Sequence, residues 1–136
     1  MDAEFSRRLL SLLIENSVRI LSAGFGIDRV EATFFEVVQL LREELGLREF
    51  FLEVAEKTLE KRDASGLDSG DVPRELMELI AHELRWPELK VMAKHRVDRF
   101  FHGDDLLAVG DIASSILLAY DDNWPDREFY KRYEGL

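Results

Sequence analysis

The amino-acid sequence predicts an all-α protein, a compact bundle of about six to seven helices within a single domain. Three observations lead there. Apolar residues recur at helical spacing along nearly the whole chain. No stretch alternates with period two for long enough to make a strand. Glycines and prolines stand where helices should end and begin. With 136 residues, 46% of them hydrophobic and 10% aromatic, the chain has ample material for one core.

The first helix is expected from about Asp2 to Ala23, with Phe5, Leu9, Leu12 and Leu13 turned inward and Gly24 closing it in a left-handed cap. Asp28-Arg29-Val30-Glu31 has the spacing of a capping box and should start a second helix that ends at Gly46. A third follows at once over Leu47 to Arg62, with Phe50, Phe51, Val54, Ala55 and Leu59 inward, and the three should form an antiparallel bundle. Residues 62–71 are rich in Gly, Ser and Asp and read as a loop that divides the chain into helical halves, about 1–62 and 72–136.

Pro73 suits the first turn of a fourth helix carrying Leu76, Leu79, Ile80 and Leu84, which ends at Trp86 because the residue before proline is disfavoured in a helix. A fifth runs from Pro87 through Leu89, Met92, Ala93, Val97 and Phe100 to Gly103. Within it Arg96 lies on the apolar arc, which points to an internal ion pair rather than a phosphate site. A sixth helix is expected over about Asp104 to Asp121, and a short seventh from Pro125 with Phe129, Tyr130 and Tyr133.

Leu79 to Glu88 lines up with Leu117 to Asp126, 38 residues later, matching at Leu, Ala, Trp and Pro. Such a period belongs to paired-helix repeats and would allow HEAT-like pairing in the C-terminal half. The plainer reading is that Trp-Pro makes a good corner between helices.

Composition excludes several functions. The chain holds 28 acids against 18 Lys and Arg, a net charge of −10, which repels nucleic-acid backbones and anionic membranes. Absent cysteine excludes disulfide frameworks, zinc-thiolate sites and thiol catalysis. The N-terminus has neither a basic lead nor an unbroken apolar run, so a cytoplasmic protein without a membrane span is expected.

Catalytic and metal motifs are poorly represented. His82, His95 and His102 lack Glu-x-x-His and HExxH partners, and neither a nucleophile elbow nor a phosphate loop occurs. The one corner with chemistry is His102-Gly103-Asp104-Asp105, where Gly103 ending a helix and Asp104 capping the next explain the residues without a site. The sequence therefore predicts no enzyme, no metal and no cofactor, with an enzyme or metal site around His102–Asp105 as the minor alternative.

Charge placement is more informative. Residues 104–136 hold eight acids and three bases, whereas 87–103 hold two acids and four bases. At 3.6 residues per turn, a helix from Asp104 would align Asp104, Asp111 and Asp122 opposite Val109, Ile112, Ala113, Ile116 and Tyr120, with Leu107 and Leu118 at the flank. That stripe leads into Asp121-Asp122-Asn123-Trp124-Pro125-Asp126, the composition of a contact surface for a basic protein. A solvated surface helix would carry the same pattern.

The segment Asp121-Asp122-Asn123-Trp124-Pro125-Asp126-Arg127-Glu128-Phe129-Tyr130-Lys131-Arg132-Tyr133 resembles the tails of small acidic helical immunity proteins of bacterial toxin systems. The resemblance covers about a tenth of the chain and implies a cytoplasmic inhibitor that fills the basic cleft of a toxin. Under it Asp111, Asp122 and Asp126 would steer, while Trp124 and Tyr130 would anchor, and Asp104, Leu118 and Asp121 complete the expected partner-binding set. A helical adaptor or homodimer, using an apolar face such as Leu107 and Leu118, is the alternative.

Overall fold

The computed structural model describes residues 1–135 and is all-helical, with no strand among them. Six α-helices succeed one another: α1 (Ala3–Ser22), α2 (Ile27–Glu43), α3 (Leu47–Glu60), α4 (Arg74–Leu84), α5 (Pro87–Phe101) and α6 (Ile112–Leu118). Two 3-10 turns, Pro125–Phe129 and Lys131–Tyr133, finish the chain. Among the described residues no helix is long and apolar enough to cross a membrane. α1 lies on α2 and touches α3, α2 meets α4, and α3 meets α5, while α6 is wedged between α4 and α5. One continuous core runs through all six, including Leu10, Phe34, Phe51, Leu76, Leu89 and Ile116.

Local chemistry sets most helix ends. Asp2 accepts the amide of Glu4 at the start of α1. At its end the amides of Gly24 and Phe25 return to Leu21 and Ile20, a Schellman arrangement that needs the left-handed backbone of Gly24. Pro73 precedes α4, and Pro87 opens α5 after Trp86. α1 is rotated relative to the sequence reading. Its buried face is Ser6, Leu10, Ile14, Ser17 and Val18, and Phe5 and Leu12 point to solvent. Ser6 and Ser17 can be buried because their hydroxyls donate to the carbonyls of Ala3 and Leu13.

The capping box is also absent. α2 begins at Ile27 with Gly26 as its cap and no side-chain cap bond. Glu31 instead reaches the far end of the chain, accepting the amides of Lys131 and Arg132 at 2.9 and 3.0 Å. It thereby pins the second 3-10 turn to α2.

The largest departure is α6. A helix over 104–121 does not form; residues 104–111 make successive turns and only Ile112–Leu118 is α-helical. Asp104 accepts the amide of Leu106 at 2.9 Å, a local bond that competes with helix. Gly110 takes a left-handed backbone, and Asp111 then caps α6 by accepting from Ala113 at 2.9 Å. The acidic stripe therefore does not exist, since Asp104, Asp111 and Asp122 share no helix.

Arg96 ties these elements together. Its five N–H groups are all engaged: two on the Asp111 carboxylate at 2.8 and 2.9 Å, and the others on the carbonyls of Leu59, Lys61 and Arg62. Leu59 is in the last turn of α3, Lys61 is its cap and Arg62 follows, so the cation sits at the negative end of that helix. The Phe100 ring lies against the guanidinium, its centroid 4.9 Å away.

Burial alone would raise the Asp111 carboxyl, but the Arg96 guanidinium and the amides of Ala113 and Ile112 outweigh it and hold it below the usual range. Stability from this pair is therefore present above the ordinary carboxylate pKa and is lost as pH falls through the lowered one. Arg96→Ala leaves a buried carboxylate and several carbonyls unpaired, so urea unfolding at pH 7 should show a loss of about 3–5 kcal/mol. The loop after α3 gives a second test. A side chain at Gly66 would meet the Arg74 amide nitrogen at 2.7 Å with φ at +75°. Gly66→Ala should therefore cost about 1–3 kcal/mol in the same measurement.

Candidate functional site

The loop from His102 to Asp111 has the least reason to exist as a mere connection. Leu106, Leu107 and Val109 are 83%, 58% and 73% exposed, side by side in the sequence. They are also ordered. The amide of Leu107 bonds to Asp104 at 3.1 Å, that of Ala108 to Asp105 at 3.2 Å, and that of Asp111 to Ala108 at 2.9 Å. Ala108 is buried in the core, and Asp111 is fixed by Arg96. Two exposed carboxylates, Asp104 and Asp105, stand at the start of the loop.

The exposure of Leu106 and Val109 was not read from the sequence, which placed only Leu107 of the three on a contact face. Leu106 and Val109 sit at helical spacing, and only the engagement of Asp104 and Asp111 with nearby backbone turns them outward. The signal available was an apolar run between Asp-Asp and Gly-Asp, two pairs that favour turns and caps.

The expected contact residues fall into two groups. Asp104, Leu118, Asp121 and Asp122 are exposed. Asp122 also pairs with Arg85 at 3.1 Å while its side chain stays open to solvent. The others are engaged inside the fold. Asp111 belongs to Arg96. Trp124 and Tyr130 are only 3% and 1% exposed, so neither can anchor a partner on the surface. Their burial follows from an aromatic cluster: Trp124 lies against His82 and Tyr130, and Tyr130 meets Phe35 and Tyr133 edge-on.

Asp126 is half-buried and faces Glu78 of α4, itself buried. Burial and the neighbouring Asp126 carboxyl push Glu78 up to about 9, with Glu75 adding to the rise and Arg74 opposing it. At neutral pH Glu78 therefore holds a proton and can donate to Asp126, which joins the first 3-10 turn to α4. Burial raises the hydroxyls of Tyr130 and Tyr133 as well, with Glu78 adding to the first and Glu83 to the second. Of these acids only Asp126 belongs to the tail, and it faces Glu78 of α4.

The start of the tail is held by side chains of α4. His82 donates from Nδ1 to the Ala119 carbonyl at 2.9 Å, and Arg85 bonds to the Tyr120 carbonyl. In return the Tyr120 hydroxyl donates to the Trp86 carbonyl at 2.6 Å. His102, Asp104 and Asp105 are all exposed, with Asp104 already accepting from Leu106. No three His, Asp or Glu side chains come together to hold a metal ion among the described residues.

Glu78 yields a pH test. Its folded pKa lies above the unfolded 4.5, so the stability it confers is complete below 4.5 and is lost as pH rises toward 9. Glu78→Gln keeps the donor without the charge. Urea unfolding should give the variant no advantage at pH 4, about 3 kcal/mol at pH 7 and more at pH 9.

The chain matches no protein-family model, no curated protein and no solved structure.

Proposed function

We propose that the protein is an acidic protein-binding module whose docking element is the loop 104–109. The observation that carries this reading is the ordered exposure of Leu106, Leu107 and Val109. Scattered exposed leucines are ordinary, but three large apolar side chains within four residues, held by backbone bonds and core anchors, form a prebuilt knob. Each such side chain gains about 1.5–3 kcal/mol when fully covered. Preorganisation lowers the entropy cost of using that gain on docking.

The partner is a protein with an apolar recess and a basic rim. Asp104 and Asp105 flank the knob, Asp121 and Asp122 lie exposed after α6, and the whole chain carries −10. Such charges steer association, while the apolar contact sets how long the complex lasts. The immunity-protein resemblance gives the specific form of this reading, an inhibitor that blocks a basic bacterial toxin. In that form the anchoring assigned to Trp124 and Tyr130 passes to Leu106, Leu107 and Val109, with Leu118 at the edge.

Affinity capture from the source lysate at low salt, with identification by mass spectrometry, tests it. The expected outcome is a basic protein held by the native chain and released along a salt gradient. It should be lost from a Leu106→Ser, Leu107→Ser double variant and released at lower salt from Asp104→Lys, Asp105→Lys. A partner held equally by all three chains, or by none, overturns the knob as the docking element. A toxin-like activity in the captured protein that the native chain suppresses would support the inhibitor form.

A further inference from the structure

The end of the chain covers a polar stripe of α4. Glu75, Glu78, His82 and Arg85 recur at i, i+3, i+7 and i+10, one face of that helix and its cap. On an ordinary amphipathic helix such a stripe faces water. Here it lies against residues that follow α6. Glu78 meets Asp126, His82 lies against the Trp124 and Tyr133 rings, and Arg85 reaches the Tyr120 carbonyl and Asp122. The far end of the cover is held to α2 by the amides of Lys131 and Arg132 on the Glu31 carboxylate.

The polar atoms under this cover are poorly served. Tyr130 is buried, yet its hydroxyl has no hydrogen-bond partner among the described residues. An unpaired buried hydroxyl favours any opening that returns it to water. Glu78 is faced by Asp126 and Tyr130 from the cover and by Arg74 and Glu75 from its own helix. Of these only Arg74 favours the ionised carboxyl, so Glu78 keeps its proton up to about 9 while covered, against an ordinary value of 4.5.

We propose that residues 123–135 form a lid on α4 that lifts as Glu78 gives up one proton to solvent. With the lid down, Glu78 and Asp126 share that proton. With it up, both carboxyls ionise in water and oppose reclosure. Arg85 holds Tyr120 and Asp122, so the hinge follows Asp122. Between the two values of Glu78, each rise of one pH unit shifts the balance about tenfold toward the open form. Opening returns Phe35, Trp124 and Tyr130 to water, so pH decides how often this aromatic face is uncovered. The lid involves α4, α2 and the tail and is independent of the loop 104–109.

Hydrogen exchange of the native chain, followed residue by residue by NMR from pH 6 to 8 and corrected for intrinsic rates, tests the lid. The Lys131 and Arg132 amides are protected only while it is down, whereas Val38, inside α2, reports opening of the whole fold. Protection of the two tail amides should fall about tenfold per pH unit and stay at least about tenfold below that of Val38. In Glu78→Gln, which has no proton to lose, their protection should not vary with pH. Tyr130→Phe removes the unpaired hydroxyl and should raise it at least roughly threefold at every pH.

Protection that does not change with pH in the native chain overturns the proposal. An equal slope in Glu78→Gln does so too, because the proton would then belong to another group such as His82. Equal protection of Arg132 and Val38 would mean that the tail leaves only when the whole chain unfolds, and lower protection in Tyr130→Phe that the hydroxyl helps to hold the tail. Either result also overturns the lid.

Discussion

The arrangement of the C-terminal half depends on one buried cation. Arg96 closes the negative end of α3, holds the cap of α6 and so determines where the chain between α5 and α6 must lie. A guanidinium suits this position because its five donors form a rigid planar fork, and the surroundings supply five contacts for it. An apolar side chain of similar size could fill the space, and replacing buried ion pairs that way is often harmless to stability. It could not distinguish one placement of Asp111 from another. Since Asp111 is the last residue before α6, that distinction sets how the loop ahead of it presents its leucines.

A second buried polar contact plays the corresponding part for the tail. Glu78 is on α4 and Asp126 on the first 3-10 turn, and a shared proton lets two acids meet where two charges would repel. Glu31 does the rest by accepting two amides of the second turn. The tail has little helical structure of its own, and its position comes from these contacts and from the burial of Trp124 and Tyr130. An acidic, aromatic composition here therefore describes a core contribution at least as much as a surface.

What was legible in the sequence follows from this. Gly24, Pro73, Pro87 and Gly103 mark helix boundaries because glycine and proline restrict the local backbone, and that information needs no tertiary partner. Both Trp-Pro pairs do stand at corners, each tryptophan buried and each proline opening the next turn. Arg96 was legible as a buried ion-pairing cation from its place on an apolar arc. Its partner was not, because Asp111 fits equally well as a cap, a surface charge or a salt-bridge acid. Glu31 illustrates the same ambiguity at greater distance, its spacing suggesting a local cap while its carboxylate serves the tail. Carboxylates have several good uses, and only the folded chain selects among them.

The same selection bears on recognition. A net charge of −10 acts at long range on any basic partner, but it also opposes the approach of a second copy. Burial of Trp124 and Tyr130 takes those two rings off the surface, while Phe5, Phe25 and Phe129 stay exposed, as do Leu106, Leu107, Val109 and Leu118. Long-range attraction therefore favours a basic protein over a second copy, because like net charges repel.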